Sequence, residues 1–251
     1  MNCASGVSAI EHFLPRPPTG LHPVQSACLP QADNFFWSIS PESRAAFDKI
    51  KHTSTFPSHT VIFVEGQSAG GVFVLGTGRA KLSTCSVEGR TMIMRIADCG
   101  EVLGLHASIT GLPHAMTVAT MQPSTLDFVS RENLMTFLRG HGDAALRVTQ
   151  ILSHECMQAY ELARRMGLSQ SVSERLARFL LETGTHGQMK DGRVHARMAL
   201  THEEISQVVG TSRETITRLL SEFKKRGVVE LKGSMLTICN RQALESMGRA
   251  N

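Results

Sequence analysis

Residues 200–238 read LTHEEISQVVGTSRETITRLLSEFKKRGVVELKGSMLTI, and this stretch predicts two short amphipathic helices followed at once by a hairpin. Thr201 and Glu204 have the spacing of a capping box, in which a hydroxyl and a carboxylate satisfy each other's backbone N–H donors. Ile205, Val208 and Val209 then supply the apolar face of a two-turn helix that stops at Gly210. Thr211 and Glu214 repeat the spacing immediately. They predict a second helix with a buried stripe of Ile216, Leu219, Leu220 and Phe223, leaving Arg213, Glu214, Thr217, Arg218 and Ser221 on the opposite face. VVELK and MLTI flank Gly233-Ser234 and predict a two-stranded wing. Helix, glycine turn, helix and wing are the pattern of a winged helix-turn-helix.

The exposed face carries the chemistry. Arginine can donate two parallel hydrogen bonds to guanine O6 and N7, and glutamate can accept from cytosine N4. Arg213, Glu214 and Arg218, with Thr217 beside them, are therefore expected to read base edges of double-stranded DNA. Thr201, Thr211, Ser212, Ser221, Lys224 and Lys225 are expected on the sugar-phosphate backbone. The bland alternatives are a surface ion pair between Glu214 and Arg218 and a solvated helix end at Lys224-Lys225-Arg226. Charge placement favours the first reading. Residues 1–166 hold 13 Lys/Arg against 13 Asp/Glu, whereas residues 167–251 hold 13 against 9, so the formal charge of +4 lies wholly in the last third.

Upstream, a helix is expected around residues 172–182, followed by GTHGQMKDGRVHAR as a polar loop. Residues 143–166 (DAALRVTQILSHECMQAYELARRM) form a longer helical run. Ala145, Thr149, Leu152, Cys156, Ala159, Ala163 and Met166 recur there at alternating steps of four and three, the seam of a coiled coil, and predict a parallel homodimer. The competing reading packs the same stripe on the chain's own core. Arg164, Arg165 and Gly167 suit the helix end.

Between residues 58 and 129, short apolar or alternating runs (TVIFVE, GVFVLG, RAKLSTCS, TMIMRIA, MTVATM, TLDFVS) are punctuated by glycines, which predicts a β-barrel or jelly roll. A short helix is expected from Pro41 to Ile50 with Ser40 as its cap. Residues 1–32 are rich in Pro, Ser, His and Gly and are read as a flexible arm.

Several classes are set aside. No apolar run approaches the ~18 to 20 residues of a membrane span and the N-terminus lacks a secretion-signal pattern, so the expected location is cytoplasmic, with no membrane partner. The six cysteines are dispersed and form no CxxC pair, so reduced thiols are expected. A catalytic jelly roll would need clustered metal ligands, and no HxH occurs; the chain is not read as an enzyme.

ISQVVGTSRETITRLLSEFKKRGVVE (residues 205–230) closely resembles the DNA-binding helix pair of the cAMP receptor protein/FNR family of bacterial transcription regulators, and GEVLGL (residues 100–105) resembles that family's phosphate-binding cassette. The resemblance covers residues 35 to about 241. It implies an α+β chain: flexible arm (1–32), cyclic-nucleotide-binding-type β-roll or jelly roll (33–140), long dimerisation helix (141–167) and C-terminal winged helix-turn-helix (168–251). It further implies a palindromic site of TGTGA type, because Arg213, Glu214 and Arg218 match the positions that read the half-site in the cAMP-receptor-like subgroup. RNA polymerase is implied as a partner, through surface loops such as residues 189–197.

At the sensory end the sequence departs from the family. Cyclic-nucleotide-binding members carry an Arg-Ser pair in the cassette, and here His114 and Ala115 occupy those positions; Tyr160 and Glu161 replace the purine-reading polar residues. A buried phosphate needs a cation and several donors. The expected effector pocket is therefore Gly100, Glu101, Leu103, Gly104, Leu105, His114, Ala115 and Tyr160, with no tight binding of cAMP and no cofactor assigned. An iron-sulfur cluster would need a thiolate cluster that Cys3 and Cys28 do not make, and haem or metal binding by His59, His106 or His114 lacks paired spacing. A regulator sensing through thiol redox chemistry at Cys85, Cys99 or Cys156 or through an iron-sulfur cluster, and a ligand-independent architectural DNA binder, are the alternative readings.

Overall fold

The computed structural model describes residues 34–37, 39–167, 171–185 and 187–248. The expected arm (1–32), with Cys3 and Cys28, and the side chains of residues 37, 161, 162 and 164–167 lie outside that description. A first helix, α1 (Pro41–Ile50), starts where the cap and proline require: the Ser40 hydroxyl accepts the Ser43 N–H and proline fills the first turn. Phe47 on its inner face enters the core.

Eight strands follow: β1 (His52–Phe56), β2 (Val61–Phe63), β3 (Gly71–Thr77), β4 (Ala80–Cys85), β5 (Thr91–Ala97), β6 (Val102–Leu103), β7 (Thr117–Thr120) and β8 (Ser124–Ser130), with a short helix α2 (Leu105–Thr110) between β6 and β7. They form two four-stranded sheets, ordered β1-β8-β3-β6 and β2-β7-β4-β5, whose pairings are all antiparallel. This is the jelly roll expected from the glycine-punctuated runs. Side chains alternate between the faces, so Leu75, Leu82, Val118 and Leu126 meet between the sheets while Val72, Val74 and Val129 point the other way. That second face is covered by α1, by α3 (Arg131–Gly140) and by the first half of α4 (Gly142–Gly167), through Phe47, Leu134, Phe137, Ala144, Val148 and Ile151.

The C-terminal part contains α5 (Val172–Thr185), β9 (Gln188–Lys190), β10 (Arg193–Arg197), α6 (His202–Val209), α7 (Arg213–Lys225), β11 (Val229–Lys232), β12 (Met235–Ile238) and α8 (Arg241–Met247). Ile205, Val209, Ile216, Leu219, Leu220 and Phe223 share one core with Leu176 and Leu180 of α5 and with Leu236 and Ile238 of the wing. The expected polar loop after α5 is a hairpin instead. β9 and β10 pair in antiparallel fashion across Asp191 and Gly192, which both take positive φ (51° and 72°), and β10 pairs with β12. All three residues of β9 are exposed, so no apolar periodicity marks it, although Asp-Gly is a hairpin signal. Among the described residues no helix is long and apolar enough to cross a membrane.

The two parts touch directly. α6 packs against β5, and Lys81 Nζ of β4 lies 3.5 Å from Glu204 Oε1 of α6.

Candidate nucleic-acid interface and effector cavity

The helix pair is built by local chemistry. The Thr201–Glu204 capping box is complete: Glu204 N–H donates to Thr201 Oγ1 at 3.1 Å and the Glu204 carboxylate accepts from Thr201 N–H at 3.0 Å. Gly210, with φ 71°, ends α6 in the left-handed conformation that costs glycine least. The second cap differs from expectation by one residue. Thr211 N–H donates to Ser206 O at 3.0 Å and closes the end of α6, and it is the Ser212 hydroxyl that caps α7, accepting Thr215 N–H at 3.2 Å.

At about 100° per residue, Arg213, Lys224, Thr217, Ser221, Glu214, Lys225 and Arg218 fall within one arc of roughly 140° on α7, opposite the buried stripe. All seven are exposed. Four cations and one carboxylate make this face strongly positive, as a phosphate-lined groove requires. Glu214's own backbone N–H, the Ser212 hydroxyl and neighbouring Arg213 hold its carboxyl below the ordinary carboxylate value, so it is an acceptor at neutral pH. Thr217 is less free. Its hydroxyl donates to Arg213 O at 2.9 Å and lies 2.9 Å from His202 Nδ1, tying the start of α6 to the middle of α7. Ser221 likewise donates to Thr217 O. Thr201 and Ser212 serve as caps, are exposed, and flank this face together with half-buried Thr211.

On α4, Ala144, Val148 and Ile151 turn to the jelly roll. Thr149, Cys156, Ala159 and Ala163 are exposed, while Ala145 and Leu152 are half-buried at the margin. Leu152 touches the core, so the expected seam runs along the edge of the chain's own packing. Leu146, Met157 and Tyr160 widen the uncovered apolar face beside it, with exposures of 60%, 56% and 65%. Periodicity alone selected the narrower stripe; the Met166 side chain is outside the described residues.

The cassette encloses a cavity of about 60 Å³ lined by Phe63, Arg95, Gly104, His114, Ala115 and Glu155 among others. Of the expected pocket residues, Gly104, Leu105, His114 and Ala115 line it; Gly100, Leu103 and Tyr160 do not, and Glu101 lines a smaller neighbouring recess of about 10 Å³. Tyr160 sits on the exposed side of α4, which faces away from the roll in a single chain. His114 fills space rather than offering charge. Its ring stacks on Phe63 with centroids 3.8 Å apart, Gly104 gives it room because a Cβ there would lie 2.9 Å from His114 Cε1, and burial pushes its pKa down. A guanidinium does reach the cavity, from β5 and not from the cassette. Arg95 donates to Glu101, which is 7% exposed, and to Glu155 Oε1 of α4 at 3.0 Å. Sequence reading missed Arg95 and Glu155 because they stand 60 residues apart and no short motif joins them.

Among the described residues, Cys85, Cys156 and Cys239 are free thiols. Among the described residues no group of three or more His, Cys, Asp or Glu side chains is placed to hold a metal ion.

Residues 174–247 match the Crp-like helix-turn-helix domain and residues 53–141 the cyclic nucleotide-binding domain. The chain is 23% identical over 215 residues to the CRP-like cAMP-activated global transcriptional regulator of Mycobacterium tuberculosis, covering 85% of this chain and 96% of that protein. It is 26% identical over 205 residues to electron transport regulator A of Shewanella oneidensis, with 78% of each covered. Among solved structures, FixK2 from Bradyrhizobium japonicum has the same fold, with a TM-score of 0.70 at 21% identity over 80% of this chain and 99% of that one.

Proposed function

We propose, from the premise that this chain belongs to the cAMP receptor protein/FNR family of DNA-binding transcription regulators, that it acts as a homodimer reading a palindromic TGTGA-type site. The observation that carries the reading is the α7 face, where Arg213, Glu214 and Arg218 stand exposed and pre-ordered beside a cap and opposite a buried stripe. Arg213 and Arg218 read guanine and Glu214 accepts from cytosine, with Thr217 supporting them. Lys224, Lys225, Ser221, Ser212, Thr211 and Thr201 meet phosphates. Two copies joined through α4 set the half-sites about 34 Å apart. The uncovered face of Leu146, Met157 and Tyr160 supports that joining, since an apolar patch of this kind marks a partner site.

The segments divide as arm 1–32, sensory roll 33–140, dimer helix 141–167 and DNA-reading unit 168–251, with RNA polymerase as the further partner in the cytoplasm. The roll does not bind cAMP tightly. Neutral His114 supplies no charge where the phosphate would sit, and Arg95 is already held by two carboxylates that would repel it. Enrichment of bound duplexes from a random pool tests the site: a palindrome with a recurring guanine in each half is expected, and a pool without any common sequence would end the proposal. Calorimetric titration with cAMP tests the roll, and micromolar binding would overturn that part.

A further inference from the structure

Arg175, on the first turn of α5, reaches across to the turn between α6 and α7. Its Nε donates to Val209 O at 2.8 Å and its Nη2 to Gly210 O at 3.2 Å. The last carbonyls of a helix have no intrahelical donor and carry the negative end of its dipole, so a cationic fork is a good partner for them. Two bonds from one planar group restrain orientation as well as distance.

The Val209 side chain is buried in the shared core, which anchors the end of α6, while the fork holds the carbonyls of the turn. Gly210 has no side chain to pack, and hydrogen bonds tie its backbone: Gly210 N–H and Thr211 N–H donate to Ser206 O, and the Arg175 fork reaches the Val209 and Gly210 carbonyls. Ser212, the cap, and Arg213, the first residue of α7, follow within three residues of Gly210. α5 in turn begins only a few residues after α4 ends at Gly167. Arg175 therefore stands between the helix proposed to join two copies and the start of the helix proposed to read bases.

We propose that Arg175 is a positioning residue for sequence reading: by clamping the Val209 and Gly210 carbonyls it sets where α7 begins and hence where Arg213 and Glu214 meet the base edges. It touches no base in this role. The inference rests on α7 being the reading helix. If it holds, loosening the clamp costs discrimination between sequences, whereas a phosphate contact would cost affinity for all of them.

The test uses the full chain with Arg175→Met and Arg175→Lys, measured by fluorescence anisotropy on the duplex that the unsubstituted protein enriches from a random pool and on a random-sequence duplex, at several salt concentrations. Arg175→Met is expected to lose about tenfold on the enriched duplex, with random-duplex affinity and salt slope within about twofold of the unsubstituted protein. Arg175→Lys, which keeps the charge but not the two-nitrogen fork, recovers part of the loss; it also carries the test if far-UV circular dichroism shows that the methionine variant fails to fold. Enriched-duplex binding unchanged in both variants would overturn the proposal. So would an equal loss on both duplexes, which would make Arg175 a phosphate contact or a general fold residue. If the unsubstituted protein enriches no sequence, the α7 reading itself has failed, and that result is seen before any Arg175 variant is compared.

Discussion

Replacing Glu204 by glutamine removes one charge from the junction of the jelly roll and the helix pair without changing the shape of the side chain. The Glu204 carboxylate accepts Thr201 N–H and the Thr201 hydroxyl, both at 3.0 Å, and faces Lys81 Nζ at 3.5 Å, with the two ion-pair side chains 13% and 24% exposed. An amide oxygen can still accept from Thr201 N–H, but a hydrogen bond to a charged acceptor contributes roughly 1.5 to 3 kcal/mol against about 1 for a neutral one. The ion pair, largely but not wholly shielded from water, adds at most about 1 kcal/mol. Glu204→Gln should therefore cost about 1 to 2 kcal/mol at pH 7. Burial would raise the carboxyl's pKa, yet the Thr201 amide, the Thr201 hydroxyl and Lys81 outweigh it and hold the pKa below the ordinary value. A depressed carboxyl stabilises the fold fully above its unfolded value of about 4.3, and the contribution is lost as pH falls through the lower folded value. Urea unfolding followed by circular dichroism should thus show a stability gap between the unsubstituted protein and the Glu204→Gln variant that is full at pH 7 and narrows in acid. A penalty of the same size at every pH, or none at pH 7, would refute the reasoning.

Arg213→Ala should weaken binding to the enriched duplex by about 1 to 3 kcal/mol and relax preference at one guanine, while Lys225→Ala should weaken all duplexes alike and lower the salt slope by about 1; anisotropy titrations at several salt concentrations separate the two. Leu146→Glu combined with Met157→Glu places charge on the uncovered face of α4 and should shift sedimentation from dimer to monomer with the helix content kept. Gly104→Ala must adopt φ 79° and push against His114, and should lower stability by about 1 to 3 kcal/mol, read as a fall in Tm.

What could be read from residues in order was governed by rules that act over a few positions. Ser40-Pro41 starts α1, Thr201 and Glu204 cap α6, Gly210 turns the chain, and the spacing of Ile216, Leu219, Leu220 and Phe223 gives α7 its buried side. Those features need no distant partner, since a cap or a helical stripe is complete within one or two turns. The same holds for the alternating strands of the jelly roll, although His52–Phe56 and Val102–Leu103 are too short or too polar to announce themselves and become strands by pairing with β8 and β3. The cap falls at Ser212, where Thr211 was expected, because two adjacent hydroxyl residues, Thr211 and Ser212, offer nearly the same local signal.

The charged contacts that join distant parts of the chain lay beyond such rules. Arg95 meets Glu155 across 60 residues, Arg175 meets Val209 across 34, and Lys81 meets Glu204 only once the jelly roll and helix pair are packed. Each is a polar contact between side chains or carbonyls that linear spacing leaves unrelated, and its strength comes from the shielded geometry in which the folded chain brings the partners together. The amino-acid order thus specified the parts and the exposed, positively charged face of α7, while the fold in three dimensions chose which charges reach the cavity and which guanidinium meets the carbonyls before that helix.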